Sequence, residues 1–279
     1  MTNVWPGRRV LVTGACGFLG SHLCKALRDA GALVIGADTR LDSPSLRVLG
    51  VSGRLHRQGC VDISFLAPTK AFIDEAQPTV VFHLAGLSHI AAATARPWEA
   101  FWGNAAATAS ILEACRRYRD KGGRLDAVVV SSSNHVYGNL AQRPELEVFR
   151  ENHALMPADV YGGTKACSDL LARVYAASYD LPIVALRHLN AFGEADPHES
   201  HLVTATILAL LKGERPVIRS DGTPIKGYLY VADLIAAYLA AAEIAQKHPG
   251  AYNVGSPAEA RSVLALVEAC IQAAGLDLV

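Results

Sequence analysis

The chain has 279 residues and equal numbers, 26 each, of basic and acidic side chains, so its formal net charge is zero. Without a basic run, this balance argues against nucleic acid or an anionic membrane surface as a partner. The longest helix-like apolar run, Leu234 to Ala245, is too short to span a bilayer. Six cysteines without a CxxC spacing are typical of reduced thiols. We therefore expect a cytoplasmic α/β protein without a signal peptide and with a sizeable core.

A glycine-rich turn stands near the N-terminus. The short apolar strand Val10 to Val12 leads into Gly14, Gly17 and Gly20, and a helix-like segment from Ser21 to Ala30 follows. In this order the glycines permit a tight turn, close approach of a pyrophosphate and close packing of the helix on the strand. The helix N-terminus then presents its amides to the phosphates. The pattern predicts a dinucleotide site, with an ordinary glycine-rich turn as the alternative.

The second predicted strand, Ala32 to Asp38, ends in a carboxylate. Its position, roughly 20 residues past the glycine turn, is that of an acid that binds the ribose hydroxyls. Asp38 accepts hydrogen bonds from both hydroxyls and repels a 2′-phosphate, which favours NAD over NADP. Arg40 lies close enough to weaken that preference.

The next predicted elements continue the alternation of strands and helices. A third strand is expected at Gly59 to Ile63, where Asp62 either contacts the adenine amino group or lies in a solvated loop. After a helix at Pro68 to Glu75, the apolar run Thr79 to Gly86 is typical of a buried parallel strand.

Polar residues follow two of the strands at the carboxyl edge of the sheet, where ligands bind in open α/β folds. Ser88 and His89 follow the fourth strand and are candidate substrate contacts, or else ordinary loop residues. The fifth strand, Ala127 to Val130, leads into a serine-rich segment, Ser131 to Gly138.

The remaining elements divide the chain into two parts. A helix from about Pro97 to Arg119, a helix from Tyr161 to about Tyr179 and a strand at Ile183 to Gly193 complete a doubly wound parallel sheet. From Glu194 onward the alternation changes. The expected elements there are a helix at Leu202 to Lys212, a strand and turn at Pro216 to Gly222, a helix opened by Tyr228 to Asp233, Tyr252 to Gly255 and a helix at Val263 to Ala274. We expect a dinucleotide-binding domain at 1–193, to which 226–245 return, and a smaller interleaved substrate lobe at 194–225 and 246–279.

Tyr161 and Lys165 stand four residues apart, so both project from one helix face. An ammonium near a phenol lowers the tyrosine pKa from about 10. The phenolate then takes a hydroxyl proton while hydride leaves the same carbon for a cofactor. Ser133 is placed to hydrogen-bond the same substrate oxygen. A surface pair is the common alternative, but the order of the motifs favours catalysis.

Several motifs together resemble the extended short-chain dehydrogenase/reductase family, which includes nucleotide-sugar epimerases and dehydratases. The matching segments are Thr13 to Gly20, His83 to Gly86, Ser131 to Gly138, Tyr161 to Lys165, Arg187 to Gly193, Asp221 to Thr223, Tyr228 to Asp233 and Tyr252 to Ser256. The resemblance covers nearly the whole chain and is closest to branches that handle CDP- or other nucleotide-activated hexoses. It implies a Rossmann fold, a catalytic triad of Ser133, Tyr161 and Lys165, and contact of Asn190 with the substrate diphosphate.

The chain departs from the family pattern near its end. Lys226 stands where the family usually has a diphosphate-binding arginine, and Gly227 replaces the aspartate that follows it. A lysine lacks the bidentate fork of arginine, so we expect weaker or rearranged diphosphate binding. The chain also stops soon after the last helix, so we expect an incomplete nucleotide-base pocket.

Asn134 and His135 are the most informative departure. The 4,6-dehydratases carry an Asp-Glu pair here, or Asp-Lys in the CDP-glucose branch, and use it to eliminate water across C5 and C6. Asparagine transfers no proton, whereas histidine, with a pKa of about 6.5, does. Ser133, Asn134 and His135 also resemble uronate dehydrogenases, in which these residues hold a free sugar acid, although Asn190 is not expected there. His135 therefore either transfers a proton or only orients a substrate hydroxyl.

We expect NAD as the cofactor. We expect no metal, because His198 and His201 lack the spacing of a zinc motif, and we interpret them as part of a solvated loop over the sugar site. The expected cofactor contacts are Gly14, Gly17, Phe18, Leu19, Gly20, Asp38, Thr39, Arg40, Asp62, Ile63, Leu84, Ala85, Gly86, Asn104, Ser131, Tyr161, Lys165 and His188. The expected substrate contacts are Ser88, Ser133, Asn134, His135, Asn190 and Lys226.

The expected activity is oxidation of a nucleotide-sugar hydroxyl, at C4, to a transient ketone, followed by hydride return to the opposite face, which is 4-epimerisation. The alternatives are a 4,6-dehydratase with His135 as acid and base, an NAD-dependent uronate or sugar dehydrogenase, and a non-catalytic NAD sensor or scaffold. Family resemblance also implies a homodimer through a four-helix bundle of the helices at about 97–119 and 161–179.

Overall fold

This computed structural model describes residues 4–140, 143, 146–255 and 260–275. These residues form two β-sheets with flanking helices. In chain order the elements are β1 (Arg9–Thr13), α1 (Phe18–Asp29), β2 (Leu33–Asp38), α2 (Pro44–Val48), β3 (Arg57–Cys60), α3 (Leu66–Ala76), β4 (Val80–His83), α4 (Ile90–Ala95), α5 (Pro97–Phe101), a π-helical turn (Trp102–Ala106), α6 (Ala107–Asp120), β5 (Ala127–Ser131), a 3₁₀ turn (Asn134–Tyr137), α7 (Val160–Tyr179), β6 (Ile183–His188), β7 (Asn190–Phe192), α8 (Leu202–Leu211), β8 (Ile225–Tyr230), α9 (Val231–Ile244), β9 (Gly250–Val254), β10 (Ala260–Ser262) and α10 (Val263–Ala273).

The large sheet has seven strands in the order β3-β2-β1-β4-β5-β6-β9, and each adjacent pair is parallel. The strand order reverses between β1 and β4, the point at which doubly wound folds open a crevice for ligands. The predicted Rossmann-like α/β fold is confirmed. Within the described residues, no helix is long and apolar enough to cross a membrane.

Both faces of the large sheet are covered by apolar side chains. Residues of β4 and β5 are buried throughout, and their side chains alternate between two core clusters. One cluster joins the sheet to α1 and α9, and the other joins it to α3, α6 and α7. Strands buried on both faces explain the continuous apolar runs in the sequence.

The small sheet has the order β10-β8-β7, and α8 and α10 pack against each other beside it. Helix α9 packs on α1, β5 and β6, as expected for a return to the larger unit. Two strands correct the expected boundaries: Ile225–Tyr230 lies in the small sheet, and Gly250–Val254 is the seventh strand of the large sheet, parallel to β6.

Three predicted elements differ from the structure in position or form. The helix expected from 97 to 119 does begin at Pro97, but the π-helical turn divides it into α5 and α6. Before it lies a separate short helix, α4, which was not predicted. The third strand ends at Cys60, so Asp62 follows it. No strand forms between Pro216 and Gly222, where Pro216 lacks the N–H that a β-ladder requires.

A buried ion pair joins α7 to β6 behind the carboxyl edge of the large sheet. Arg187 donates to both carboxylate oxygens of Asp169, at 2.8 and 2.7 Å, and both side chains are fully buried. Ser132 donates to the same carboxylate at 2.8 Å, and Arg187 also donates to the Tyr137 hydroxyl at 2.7 Å. The network therefore ties α7, β6 and the end of β5 together.

Replacement of Asp169 by alanine should lower the free energy of unfolding by about 3–5 kcal/mol, because it leaves the buried guanidinium of Arg187 unpaired. The matched control is Arg173→Ala, since Arg173 is 45% exposed and lies 3.9 Å from the same carboxylate. That control should change stability by less than about 1 kcal/mol. Urea unfolding of both variants measures the difference, and equal losses would contradict the assignment.

Candidate active site

One large cavity opens at the carboxyl edge of the parallel sheet, with a volume of about 2010 Å³. Its lining includes every expected cofactor and substrate contact except one. Those residues are Gly14, Gly17, Phe18, Leu19, Gly20, Asp38, Thr39, Arg40, Asp62, Ile63, Leu84, Ala85, Gly86, Ser88, Ser131, Ser133, Asn134, His135, Tyr161, Lys165, His188, Asn190 and Lys226. The sheet thus brings together residues that are up to 212 positions apart, from Gly14 to Lys226.

The glycine turn packs too closely against the backbone for side chains at Gly14 and Gly20. Gly14 has a φ of +70°, and a Cβ there would lie 2.7 Å from the Ala85 amide nitrogen. A Cβ on Gly20 would overlap the Gly14 carbonyl oxygen, so α1 packs against the turn only without a side chain. Gly17 gives α1 no side-chain cap, so the N–H groups of its first turn face the cavity uncapped by protein side chains.

Asp38 is held as a preorganised acceptor at the end of β2. Its two oxygens accept hydrogen bonds from the Cys16 amide at 3.0 Å and the Arg40 amide at 3.2 Å. The Arg40 guanidinium lies 3.9 Å from the carboxylate and is mostly exposed. The Cys16 thiol is not a reactive group here, since burial and then the Asp38 charge raise its pKa to about 11. These residues fit an adenosine ribose with free hydroxyls.

Asn104 is the expected cofactor contact that does not line the cavity. Its amide oxygen accepts from the Leu87 N–H at 2.8 Å, and its NH₂ donates to the Leu87 carbonyl and to Thr164. The side chain is 1% exposed. Because Asn104 lies within the π-helical turn, it points inward and clamps the loop after β4 onto α7. The expected contact of Asn104 with the cofactor stays a prediction.

Ser133, Tyr161 and Lys165 converge at the floor of the cavity. Ser133 ends the strand region after β5, and its hydroxyl accepts from the His135 amide at 3.2 Å, which starts the 3₁₀ turn. Tyr161 is in the first turn of α7 and Lys165 in the next, both at most 7% exposed. The Lys165 ammonium donates to the Ser131 carbonyl at 2.8 Å.

Burial has the largest effect on the pKa of Tyr161 and of Lys165. Burial raises the pKa of Tyr161, and a hydrogen bond with Ser133 opposes that shift while the charge of Asp159 adds to it. Burial lowers the pKa of Lys165 to about 8. Both shifts disfavour charge, so the phenol is neutral until a further positive group approaches it.

Two histidines beneath the site are held neutral. Burial lowers the pKa of His188 to about 4, and its Nδ1 lies 2.8 Å from the Leu189 carbonyl, which makes Nδ1 the protonated nitrogen. Its Nε2 therefore accepts from the Ser131 hydroxyl at 3.3 Å. His83, between Thr13 and Thr108, has a pKa lowered to about 3 by burial and by Lys165.

Sequence reasoning missed Asp159, which caps α7. Its carboxylate accepts from the Gly162 amide at 2.7 Å and lies 3.2 Å from Nδ1 of His135. The ring of His135 meets the ring of Tyr161 edge-on, with centroids 5.6 Å apart. An aspartate two residues before the tyrosine is a visible N-cap signal, but its contact with His135 depends on the tertiary fold.

The substrate side of the cavity is lined by the small sheet and by loops. Asn190 donates to the Gly227 carbonyl at 3.3 Å, which joins β7 to β8, and Lys226 is exposed on β8. Arg215 and Arg219 also line this side and were not predicted. They follow α8 in the segment expected to be a strand, where no local motif marked them.

The loop that carries His198 and His201 is exposed at 197–200 but makes side-chain contacts at its end. His201 Nδ1 lies 2.7 Å from Asp196, whose side chain is only 2% exposed, and the His201 ring stacks on His89 at 6.1 Å. His198 packs on the same ring at 4.8 Å. Among the described residues, no group of three or more histidine, cysteine, aspartate or glutamate side chains is arranged to hold a metal ion.

The fold and the cavity together define a class of protein: an enzyme that oxidises or reduces an oxygen-bearing carbon with a bound nicotinamide dinucleotide. Residues 10–255 match the model of the NAD dependent epimerase/dehydratase family. The chain belongs to this family. NAD is the family's cofactor, and the uncapped glycine turn and the carboxylate of Asp38 fit it.

Relatives within the family differ in their reactions. The chain is 30% identical over 253 residues to a UDP-glucose 4-epimerase of Azospirillum brasilense, covering 84% of this chain and 68% of the relative. It is 28% identical to a CDP-glucose 4,6-dehydratase of Salmonella typhimurium, covering 82% and 67%. The crystal structure of a UDP-glucose 4-epimerase from Thermus thermophilus in complex with NAD superposes with a TM-score of 0.81 at 30% identity, covering 96% of this chain and 84% of that one. Nucleotide sugars are the substrates these names share.

Replacement of Asp38 by alanine should weaken NAD binding by about 10–100-fold, because hydrogen bonds to a charged group contribute about 1.5–3 kcal/mol. The discrimination against NADP should fall, since the carboxylate no longer repels a 2′-phosphate. Calorimetric titration with both dinucleotides measures the change. Asp42→Ala is the control, because Asp42 pairs with Arg47 outside the cavity and should leave both affinities unchanged. A variant that keeps the wild-type preference for NAD would contradict this role.

Proposed function

We propose that the protein is a nucleotide-sugar 4-epimerase. The observation that carries the proposal is the convergence of Ser133, Tyr161 and Lys165 in the cavity without a carboxylate pair beside them, since Asn134 is a neutral amide. Three uncharged or cationic groups suffice to remove and return one hydroxyl proton. A 4,6-elimination needs further acid and base groups.

The glycine turn, the α1 N-terminus and Asp38 are the residues that would hold NAD, and NAD supplies the hydride acceptor at the sugar carbon. Tyr161 takes the hydroxyl proton, and Ser133 holds the same oxygen by its hydroxyl. Lys165, anchored on the Ser131 carbonyl and one helical turn after Tyr161, supplies a positive charge to the same cavity. The neutral ring of His188 adds no competing charge. Return of hydride to the other face of the ketone inverts the carbon, and the same phenol returns the proton.

The room for that inversion is the large substrate side of the cavity. Arg215, Arg219 and Lys226 line it and give it a basic character suited to a diphosphate. A sugar anchored through its diphosphate turns about the bonds next to the anchor while the ketone stays near Tyr161.

A second candidate is a 4,6-dehydratase. The observation that favours it is the position of His135, which lines the cavity beside Tyr161. Its imidazole can transfer a proton, whereas the neighbouring amide of Asn134 cannot. In that reaction one imidazole serves as both base and acid.

Proton NMR with UDP-, CDP-, dTDP- and GDP-hexoses in D₂O distinguishes these reactions. We expect inversion at C4 without deuterium at C5. A 4-keto-6-deoxy product carrying deuterium at C5 or C6 would identify the dehydratase. Reaction of free uronate alone, with accumulation of NADH, would identify a uronate dehydrogenase and refute both proposals.

Replacement of Tyr161 by phenylalanine should lower kcat by about 10²–10⁴-fold, the usual contribution of a positioned acid–base group. NAD binding should survive, because only a hydroxyl is lost. Tyr179→Phe, at the exposed end of the same helix, is the control and should keep full activity. An active Tyr161→Phe enzyme would refute the assigned role.

We also propose that the chain forms a homodimer through α6 and α7. The support is a stripe of exposed residues along one face of α7, made by Cys167, Leu170 and Val174, of which the last two are 45% and 55% exposed. Such a stripe on a helix flanking the sheet suits helix–helix association.

The double substitution Leu170→Glu and Val174→Glu should convert a dimer into a monomer, because two charges would be buried at the shared face. Sedimentation velocity measures the mass. Val48→Glu, at a residue that is 70% exposed on α2, should leave the mass unchanged. A monomeric wild-type protein would overturn this proposal.

A further inference from the structure

Asp159 has two separate partners at the N-terminus of α7. One carboxylate oxygen, Oδ1, caps the helix by accepting from the Gly162 amide at 2.7 Å. The other, Oδ2, lies 3.2 Å from Nδ1 of His135. A helix cap needs only the first contact, and serine, threonine or asparagine supplies it equally well. The second contact therefore calls for its own explanation.

The contact with Asp159 determines the protonation of the His135 ring. An ionised carboxylate only accepts hydrogen bonds, so Nδ1 of His135 must carry the proton. In the neutral ring Nε2 is then left as a bare acceptor. His135 lines the cavity with its side chain 26% exposed, whereas Asp159 lies outside the lining. The nitrogen available to a substrate is thus Nε2, in its accepting form.

We propose that Asp159 is a positioning residue that fixes the Nδ1–H tautomer of His135, so that the bare Nε2 accepts a hydrogen bond from a sugar hydroxyl next to the carbon held by Tyr161. The proposal rests on the proposed function for the identity of that carbon. It assigns His135 a specificity role: the imidazole selects a hydroxyl donor on the neighbouring carbon. The edge-on ring contact at 5.6 Å keeps that acceptor adjacent to the phenol.

Other ionisable groups around the phenol do not supply this effect. Lys165 donates to the Ser131 carbonyl, His188 contacts Leu189 and Ser131, and His83 lies between Thr13 and Thr108, so their polar contacts are to groups other than the His135 ring. Asp159 itself adds to the raised pKa of Tyr161. Any neutral replacement of Asp159 removes its charge effect on Tyr161 to the same extent. A difference between two neutral replacements therefore reports the effect of residue 159 on the tautomer of His135.

The two neutral replacements are Asp159→Asn and Asp159→Ser, and both side chains cap helices well. In Asp159→Asn the oxygen remains on Gly162 and the NH₂ faces Nδ1 of His135, so the ring proton moves to Nε2. In Asp159→Ser the short side chain caps the helix without reaching the ring, and both tautomers are populated. Helix capping alone predicts that the two variants behave alike.

The first measurement is ¹⁵N NMR of imidazole-labelled full-length protein at about pH 8, where an unperturbed imidazole is neutral. His135→Gln identifies the resonances. We expect the Nδ1–H form in the wild type, the Nε2–H form in Asp159→Asn and a mixture in Asp159→Ser. This readout needs no substrate, so it stands or falls independently of the epimerase proposal. A wild-type ring protonated at Nε2 would overturn the inference.

The second measurement is kcat/KM with the nucleotide sugar found active by NMR. We expect a loss of about 10–100-fold in Asp159→Asn, the usual cost of removing an orienting partner, and a smaller loss in Asp159→Ser. In a His135→Gln background, Asp159→Asn should cause no further loss. Equal losses in the two variants, or an undiminished effect without His135, would show that Asp159 acts only through the helix or its charge.

Discussion

The catalytic face of α7 depends on the buried ion pair between Arg187 and Asp169. Asp169 is one helical turn beyond Lys165, so the bidentate contact at 2.7–2.8 Å sets the rotation of the helix about its axis. Ser132 donates to the same carboxylate and stands next to Ser131 and Ser133. A fully buried charge pair is costly to desolvate and adds little net stability compared with an apolar core. What it does provide is a fixed placement of α7, which carries Tyr161, against β6, and the Ser132 contact extends this to the end of β5, where Ser131 and Ser133 lie.

The two buried histidines whose pKa values Lys165 lowers, His83 and His188, add no positive charge beside it. His83 and His188 are neutral, since burial holds the pKa of each far below its ordinary value. Burial lowers the pKa of Lys165 to about 8, so at neutral pH its amine is still mostly protonated. Burial thus opposes charge on the lysine and on Tyr161 alike. A positively charged ligand group beside the phenol would favour the phenolate, so acid–base activity is linked to occupancy of the dinucleotide site.

Local spacing was enough to predict much of this site. The glycine turn, the carboxylate at the end of β2 and the pair at i and i+4 on α7 are encoded within short segments, and all of them line one cavity. The errors arose where distant parts of the chain decide the outcome. The π-helical turn that interrupts the expected helix is likewise not visible in a regular helical period. Strand β9 joins β6 across more than 60 residues, and the contact of Asp159 with His135 spans 24 residues. Neither pairing leaves a local signal.

The choice between inversion and elimination comes down to counting proton transfers. Inversion at one carbon moves a single hydroxyl proton, and Tyr161 can both take and return it. Elimination across the next two carbons must also remove a carbon-bound proton and protonate a leaving hydroxyl, which calls for two more steps of proton transfer. Beyond Tyr161 the described residues beside Ser133 provide one such group, His135, because Asn134 is an amide. An imidazole whose Nδ1 faces a carboxylate has one free nitrogen to work with. A single free nitrogen favours inversion, the reaction with fewer proton transfers. It also suits His135 better to accept a hydrogen bond from a substrate hydroxyl than to carry protons between two sites.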